Sequence, residues 1–420
     1  MAYQSLFKQN HAHILYSIIQ ISCKMSITEE QKHIVKSTAS VLKENGKEIT
    51  SIFYKHMFEA HPELLNIFNR TNQKVGTQPL ALANTIYYAA ENIDHLDVLA
   101  PQVALIAHKH RALTVLPEHY PIVGKYLLIA IKEFLGDNGT QEILDAWGAA
   151  YGIIAKIFID AEQELYNELG PNEHDKGFVP LNIVKKETVA SGPIVALTLE
   201  RHDGGKMHTY HPGQYITLRI TKDGSFHNRH YSLLEPFDGK TYRVAIKDEV
   251  DCDPKGFVSN EIIDNYKVGD TILTSFPAGT FKLVKGAKHH LFVAGGIGIT
   301  VLSSLILELH TENKANSATL IHCVATQDHA AFADQLKTIL SENQYKLFCQ
   351  GEKLAKDDLQ KMLTVDSHVY ICGSLPFMNK IQDYLAECNH PVSQIHIEAF
   401  QPSLSILRDA VKDDAKTKSL

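Results

Sequence analysis

Apolar positions recur with a helical period from Ser26 to about Tyr166, and with a strand-like period after Gly177. In the first stretch Ile34, Val41 and Leu42 keep a helical spacing, and Ile49, Ile52, Phe53, Met57 and Phe58 do likewise. Ser26-Ile27-Thr28-Glu29-Glu30 offers an N-cap followed by acids in the first turn. The segments Val103–His110, Tyr120–Leu135 and Ile143–Leu169 read as further helices. Pro62, Pro79, Pro101, Pro117 and Pro121 fall between these segments or in first turns, where proline is tolerated. No hairpin signal interrupts them, so residues 26–168 are predicted to form an all-α domain.

Residues 169–177 make a polar linker with two glycines and a proline. Beyond it Val195–Leu199, Tyr215–Ile220 and Tyr242–Ile246 are short apolar or alternating runs separated by Gly and Asp turns. They predict an antiparallel β-barrel over residues 178–285. Leu291–Ala294, Ala318–Val324, Lys346–Phe348 and Val369–Cys372 are apolar runs separated by helical stretches, which predicts an α/β domain with a parallel sheet over residues 286–403. Residues 404–420 read as a polar tail. Ile14–Cys23 is a short apolar run, too short to span a bilayer and a poor signal peptide. Residues 1–25 are therefore expected to be a dispensable extension.

The 420 residues carry 44% hydrophobic and 21% charged side chains, as expected of a soluble globular chain. The net charge of −7, with no long basic run, argues against nucleic-acid binding. The six cysteines form no C-x-x-C pair, which disfavours zinc ribbons, and C-x-x-C-H, the attachment motif of c-type haem, is absent. Scattered thiols suit a reducing, cytoplasmic location.

Candidate chemistry sits in three places. Arg229-His230-Tyr231-Ser232 lies at a strand end, downstream of His211-Pro212-Gly213-Gln214-Tyr215. Arginine suits a pyrophosphate through paired charge-assisted hydrogen bonds, and a tyrosine two residues on can lie against an aromatic ring system such as isoalloxazine. Gly295-Gly296-Ile297-Gly298-Ile299-Thr300 follows one apolar strand and precedes a helix, a setting in which a phosphate can approach backbone N–H groups. The third glycine of the dinucleotide fingerprint is missing, and the next strand ends His322-Cys323-Val324-Ala325 with no acid for a ribose. This leaves NADH and NADPH both open. In the helical domain His110 shares a face with Val103 and Ile106, whereas His108 lies off that face. A lone histidine on an apolar helical face is more often a core residue than a ligand.

Taken together, the order of these motifs resembles a known family. From Arg229 onward, with Tyr370-Ile371-Cys372-Gly373, the chain is similar to ferredoxin-reductase-type flavoproteins. Phe53-Tyr54, Pro62-Glu63-Leu64, Ile67-Phe68-Asn69, Ile106-Ala107-His108-Lys109-His110, Pro117-Glu118-His119-Tyr120 and Asp145-Ala146-Trp147-Gly148 resemble a bacterial globin. A globin joined to such a reductase resembles the flavohaemoglobins over about residues 26–402.

The resemblance implies a haem b, an FAD and NAD(P)H as reductant. His110 would be the iron ligand, with Tyr120 and Glu162 orienting it. Tyr54 and Gln78 would be hydrogen-bond donors on the opposite side of the haem, and Phe68 and Leu82 apolar walls. Tyr215, Arg229, Tyr231 and Ser232 would contact the flavin, and Gly256, Val258 and Ser259 its phosphates. Gly295, Gly296, Gly298 and Thr300 would form the nicotinamide-dinucleotide turn, and Phe400 would cover the flavin. Three positions depart from the family pattern: Val301 and Ser374 stand where proline is usual, and Ala399 where cysteine is common. The implied activity is nitric oxide dioxygenation, consuming O2, nitric oxide and NAD(P)H, by a monomer with no membrane insertion. Peroxide or lipid-hydroperoxide reduction, and oxygen binding or sensing, are the alternative readings.

Overall fold

The computed structural model describes residues 15–19, 27–68, 77–168, 177–191, 194–248, 256–349 and 351–400, without the side chains of Leu42 and residues 77–81. The expected linker up to residue 176 and the polar tail lie outside the described residues. The chain separates into two compact units at Gly177.

The first unit is helical. Helix α1 (Glu29–Ala60) begins at Thr28, whose side chain accepts from the Gln31 N–H while the Gln31 side chain accepts from the Thr28 N–H. The two apolar windows of the sequence thus belong to one continuous helix, which stops at His61 before Pro62. Val35, Ala39, Ile49, Phe53 and Met57 form its buried stripe. Gly46 lies where α1 crosses α2 (Thr77–Glu91), and a Cβ there would sit 2.7 Å from the Ala83 Cβ. Helices α3 (Ala100–Leu113), α4 (His119–Leu135) and α5 (Gln141–Asn167) complete the bundle. Thr140 caps α5, which buries Trp147, Ile153, Ile157, Ala161 and Leu165 toward the centre.

Residues 15–19 of the expected extension are described. Residues 15–19 are helical, and Ile19 is fully buried within the same apolar cluster as Phe53 and Trp147, with Leu15 packed against it. The run is too short to cross a membrane but apolar enough to be sequestered by a bundle. Burying an isoleucine stabilises by about 1.5–3 kcal/mol, so this run contributes to the core.

The second unit contains two sheets. The first is antiparallel, in the order β4-β3-β6-β1-β2-β5. Its strands are β1 (Val179–Ala190), β2 (Ile194–Arg201), β3 (Tyr215–Lys222), β4 (Ser225–Ser232), β5 (Tyr242–Lys247) and β6 (Thr271–Thr274). A bridge between Leu233 and Val244 joins the two edges and closes the barrel. Helix α6 (Phe257–Asn265) packs beside it. The second sheet is parallel, in the order β11-β10-β7-β8-β9, with β7 (His289–Gly295), β8 (Ala318–Cys323), β9 (Tyr345–Phe348), β10 (Ser367–Cys372) and β11 (Ile395–Glu398). Successive β7 residues supply opposite faces: Phe292 and Ala294 join one core cluster, Leu291 and Val293 the other. A sheet covered on both sides reads as a continuous apolar run. Among the described residues no helix is long and apolar enough to cross a membrane.

Candidate haem, flavin and dinucleotide sites

In the helical unit, α3 and α5 bring His110 and Glu162 together from positions 52 residues apart. The Nδ1–H of His110 donates to Glu162 Oε1 at 2.6 Å, and the Tyr120 hydroxyl donates to the same oxygen at 2.5 Å. The Tyr120 oxygen lies 3.1 Å from His110 Nδ1. Glu162 is 2% exposed and, among the described residues of this unit, the one carboxylate that is buried. Burial, reinforced by the negative charge of Glu162, pushes the Tyr120 phenol far above its ordinary range, so it stays a donor. Tyr120 is itself held, since its carbonyl accepts from the Tyr151 hydroxyl at 2.7 Å. With Nδ1 engaged, Nε2 is the histidine nitrogen available for a ligand. The Phe158 ring centroid is 5.8 Å from that of His110.

Tyr54 lies in the same apolar cluster, 6% exposed, amid Phe53, Phe58 and Phe68, with ring centroids 4.7, 5.5 and 5.6 Å away. Leu82 packs against this cluster half-buried. The side chain of Gln78 lies outside the described residues. Around the core many apolar side chains stay only half-buried, among them Phe68, Leu82, Ile86, Val123 and Ile154. Among the described residues no three His, Cys, Asp or Glu side chains converge to hold a bare metal ion. One histidine is enough when a porphyrin supplies the other donors.

In the barrel the register sorts the flavin motif by face. Tyr231 pairs with Ile216 and Arg229 with Leu218, whereas Ser232 pairs with Tyr215 and His230 with Thr217. Arg229 and Tyr231 therefore share one face, and Tyr215, His230 and Ser232 the other. The Tyr231 and Ser259 hydroxyls are 3.0 Å apart, which ties β4 to the first turn of α6. Gly256 is the N-cap of that helix, and Val258 is buried, so only the backbone of Val258 can serve a ligand. An Arg Nη1–H of residue 229 donates to the Asn228 carbonyl at 2.9 Å. Gly213 of the Pro-Gly-Gln motif has φ +92°, and a Cβ there would lie 2.2 Å from the Phe281 carbonyl oxygen. Its N–H donates to Ser304 Oγ on α7 (Ile299–Thr311) at 3.0 Å, so this glycine joins barrel and parallel sheet.

One supporting residue escaped the sequence reading. The Lys186 ammonium on β1 donates to the carbonyls of Ile263 at 2.6 Å and Tyr266 at 2.5 Å, with Ile262 at 3.3 Å, at the C-terminus of α6. A cation there offsets the helix dipole. Nothing local marks it, because strand and helix end are 76 to 80 residues apart.

The glycine turn lies at the carboxyl end of β7, beside β10. Strand order runs outward from β7 to β8 and β9 on one side and to β10 and β11 on the other, which makes this the topological switch point where open α/β sheets bind ligands. The three chain segments approach so closely that glycine is required. A Cβ on Gly298 would be 2.3 Å from the Cys372 carbonyl oxygen, and one on Gly295 would be 2.8 Å from the Phe377 ring. Gly296 has φ +54°. Thr300 is buried, and its hydroxyl donates to the Ile297 carbonyl at 2.9 Å, locking the turn. Phe400 follows β11 and is 46% exposed.

Residues 51–158 match the Globin family. Over 401 residues the chain is 38% identical to the flavohemoprotein of Halalkalibacterium halodurans, covering 90% of this chain and 98% of that one. The chain belongs to the flavohemoprotein family. It is likewise 39% identical to flavohemoprotein A of Dictyostelium discoideum over 403 residues, 91% of this chain and all of the other. A solved family member, the flavohemoglobin of Malassezia yamatoensis with bound FAD and heme, superposes with a TM-score of 0.79 at 26% identity, covering 89% and 99% of the two chains.

Proposed function

We propose that this chain is an NAD(P)H-dependent nitric oxide dioxygenase that converts nitric oxide and O2 to nitrate. Haem b would supply iron for O2 chemistry, and FAD would split the electron pair of NAD(P)H into single-electron transfers. His110 Nε2 would hold the iron. The observation that carries the reading is the buried Glu162 carboxylate on His110 Nδ1. An imidazole that shares its N–H with a carboxylate is a more basic ligand, which favours activating O2 over storing it. Tyr120 fixes the carboxylate so that the ring keeps one orientation. Tyr54 places a hydroxyl within an aromatic wall, where it can donate to O2, and Phe68 and Leu82 exclude water beside it.

In the second unit Arg229 offers paired N–H groups to a pyrophosphate, while Tyr231, Ser232 and Tyr215 border the flavin and Gly256, Val258 and Ser259 present a helix N-terminus. Gly295, Gly296, Gly298 and Thr300 form the turn that receives NAD(P)H. Phe400 would shield the flavin until nicotinamide enters. Each nitric oxide needs one electron to become nitrate, so one NAD(P)H serves two turnovers. A redox module on the same chain is what a repeating reaction requires and a gas carrier does not.

The deciding experiment measures nitric oxide consumed per haem with NAD(P)H and O2 in excess. Consumption should continue through many equivalents and should fall when Arg229→Ala empties the flavin site, with partial recovery on adding FAD. Consumption that stops after about one equivalent per haem would overturn the reading. Sustained NADH oxidation with peroxide but not nitric oxide would replace it with peroxide reduction.

A further inference from the structure

At Gly213 a hydrogen bond crosses from the barrel to the parallel sheet. The Gly213 N–H donates to Ser304 Oγ at 3.0 Å, and Ser304 is fully buried. The Ser304 hydroxyl donates in turn to the Val301 carbonyl at 2.8 Å, so its one hydrogen is used and its oxygen serves Gly213 as acceptor. The backbone of this turn is in contact on both sides. A Cβ on Gly213 would lie 2.2 Å from the Phe281 carbonyl oxygen, on the chain that leads to β7, and 3.3 Å from Leu305 Cδ2 on α7.

Each end of this bond leads to a cofactor site. Ser304 follows Thr300 by one helical turn, and the Thr300 hydroxyl locks the glycine turn through the Ile297 carbonyl. The Ser303 hydroxyl donates to the Thr300 carbonyl at 3.0 Å, which stiffens the same turn of α7. At the other end Gly213 precedes Gln214 and Tyr215, and Tyr215 pairs with Ser232 across β3 and β4. Gln214 is held three times. Its carbonyl accepts from the Leu233 N–H at 2.9 Å, its side-chain oxygen accepts from the His211 N–H at 2.9 Å, and its side-chain nitrogen donates to the Gly279 carbonyl at 3.2 Å. Tyr215 exchanges backbone hydrogen bonds with Ala278, both at 2.8 Å. Every residue from Gly213 to Tyr215 is therefore fixed, and a shift of α7 against the barrel would be passed along them.

We infer that Ser304 is a positioning residue for hydride transfer: by accepting from Gly213 it sets the glycine turn that receives NAD(P)H at a fixed distance from Tyr215 and Ser232, which border the flavin. This rests on the reading of the glycine turn as the dinucleotide site. In the step concerned NAD(P)H gives up a hydride, one proton with two electrons, and becomes NAD(P)+, while the flavin gains that hydride. Such a transfer needs the reacting atoms about 3–3.5 Å apart, and a misplacement of about 1 Å costs on the order of a hundredfold in rate. Ser304 is buried inside the protein, so it acts through Gly213 and not on a ligand. Its loss should slow the transfer and spare the binding of either cofactor.

The test uses the full-length holoprotein, mixed rapidly and anaerobically with NADH or NADPH while flavin absorbance is followed. Ser304→Ala should lower the limiting rate of flavin reduction about tenfold or more, with flavin content and the half-saturating nucleotide concentration within about twofold of the parent. Ser304→Cys, of nearly the same shape and a weaker acceptor, should fall between. Hydrogen exchange of the Gly213 amide, measured without nucleotide, should quicken in both variants. A serine that only stabilised the fold would instead lower flavin content or raise the half-saturating concentration and leave the limiting rate at the parent's value, which would overturn the role. Unchanged exchange at Gly213 would also overturn it, because the bond would then be absent. Gly298→Ala tests the underlying site. If it leaves the half-saturating concentration unchanged, the turn is not the dinucleotide site and both readings fall. If it raises that concentration while Ser304→Ala keeps the limiting rate within about twofold of the parent, the positioning role alone is overturned. Should Ser304→Ala fail to fold, Ser304→Cys decides: a lowered limiting rate supports the role, a parental rate overturns it.

Discussion

The bond between Tyr120 and Glu162 is the contact whose strength can be worked out most directly. Tyr120 donates to Glu162 Oε1 at 2.5 Å in a site where the carboxylate is 2% exposed. A hydrogen bond to a buried charged acceptor contributes about 1.5–3 kcal/mol. Tyr120→Phe removes that donor and leaves the carboxylate with His110 alone. For a unit of this size a loss of about 2 kcal/mol corresponds to a fall in melting temperature of about 5–8 °C. Glu162→Gln removes the charge but keeps an acceptor. Combining the two gives a double-mutant cycle whose coupling energy isolates the pair, expected at about 1.5–2.5 kcal/mol. Unfolding of the full chain would be followed through the haem absorption band, which reports on the globin alone. Because the phenol is pushed upward by burial and by the Glu162 charge, the coupling should persist undiminished from pH 7 to about pH 10. A coupling energy below about 0.5 kcal/mol would show that the two groups do not act on each other, and the account of His110 orientation would fall with it.

Two further outcomes are expected. Deleting residues 1–24 removes the fully buried Ile19, so the globin should lose about 1.5–3 kcal/mol of stability, read from the same haem-band melt; an unchanged melt would show that Ile19 is not part of the core. Burial pushes His290, His322 and His396 in the second unit down to about 4 from 6.5. The unfolded chain takes up these protons first, so their stabilisation is complete above about pH 6.5 and is lost as pH falls toward 4. Urea unfolding monitored by flavin fluorescence should show a falling midpoint across that window, and a flat profile would refute the burial of these rings.

Helices α1, α3, α4 and α5 of the globin and most strands of both sheets were legible because their apolar stripes repeat with a clean period, whereas α2 (Thr77–Glu91) was not singled out. Val369–Cys372 and Leu291–Ala294 were visible as continuous apolar runs and became central parallel strands. Strand β1 was not anticipated, since Lys185, Lys186 and Glu187 break its alternation where it is solvent-facing. Strand β11 is four residues long and alternates with His396, too little to rise above its surroundings. The short apolar run before Met25 was visible too, but length alone cannot tell an unattached segment from one that docks.

The sequence by itself determined the order of the parts: a helical domain with His110 on an apolar face, a barrel carrying Arg229-His230-Tyr231-Ser232, and a parallel sheet with a glycine turn after its first strand. These are local patterns, written in periodicity and neighbouring residue types. Only the tertiary structure decided which distant groups meet. Glu162 reaches His110 because α5 lies against α3, Lys186 meets the end of α6, and Gly298 is obligatory because β10 passes within 2.3 Å of where its Cβ would be. Such contacts arise from chain crossings tens of residues apart, and no short window of sequence contains both partners.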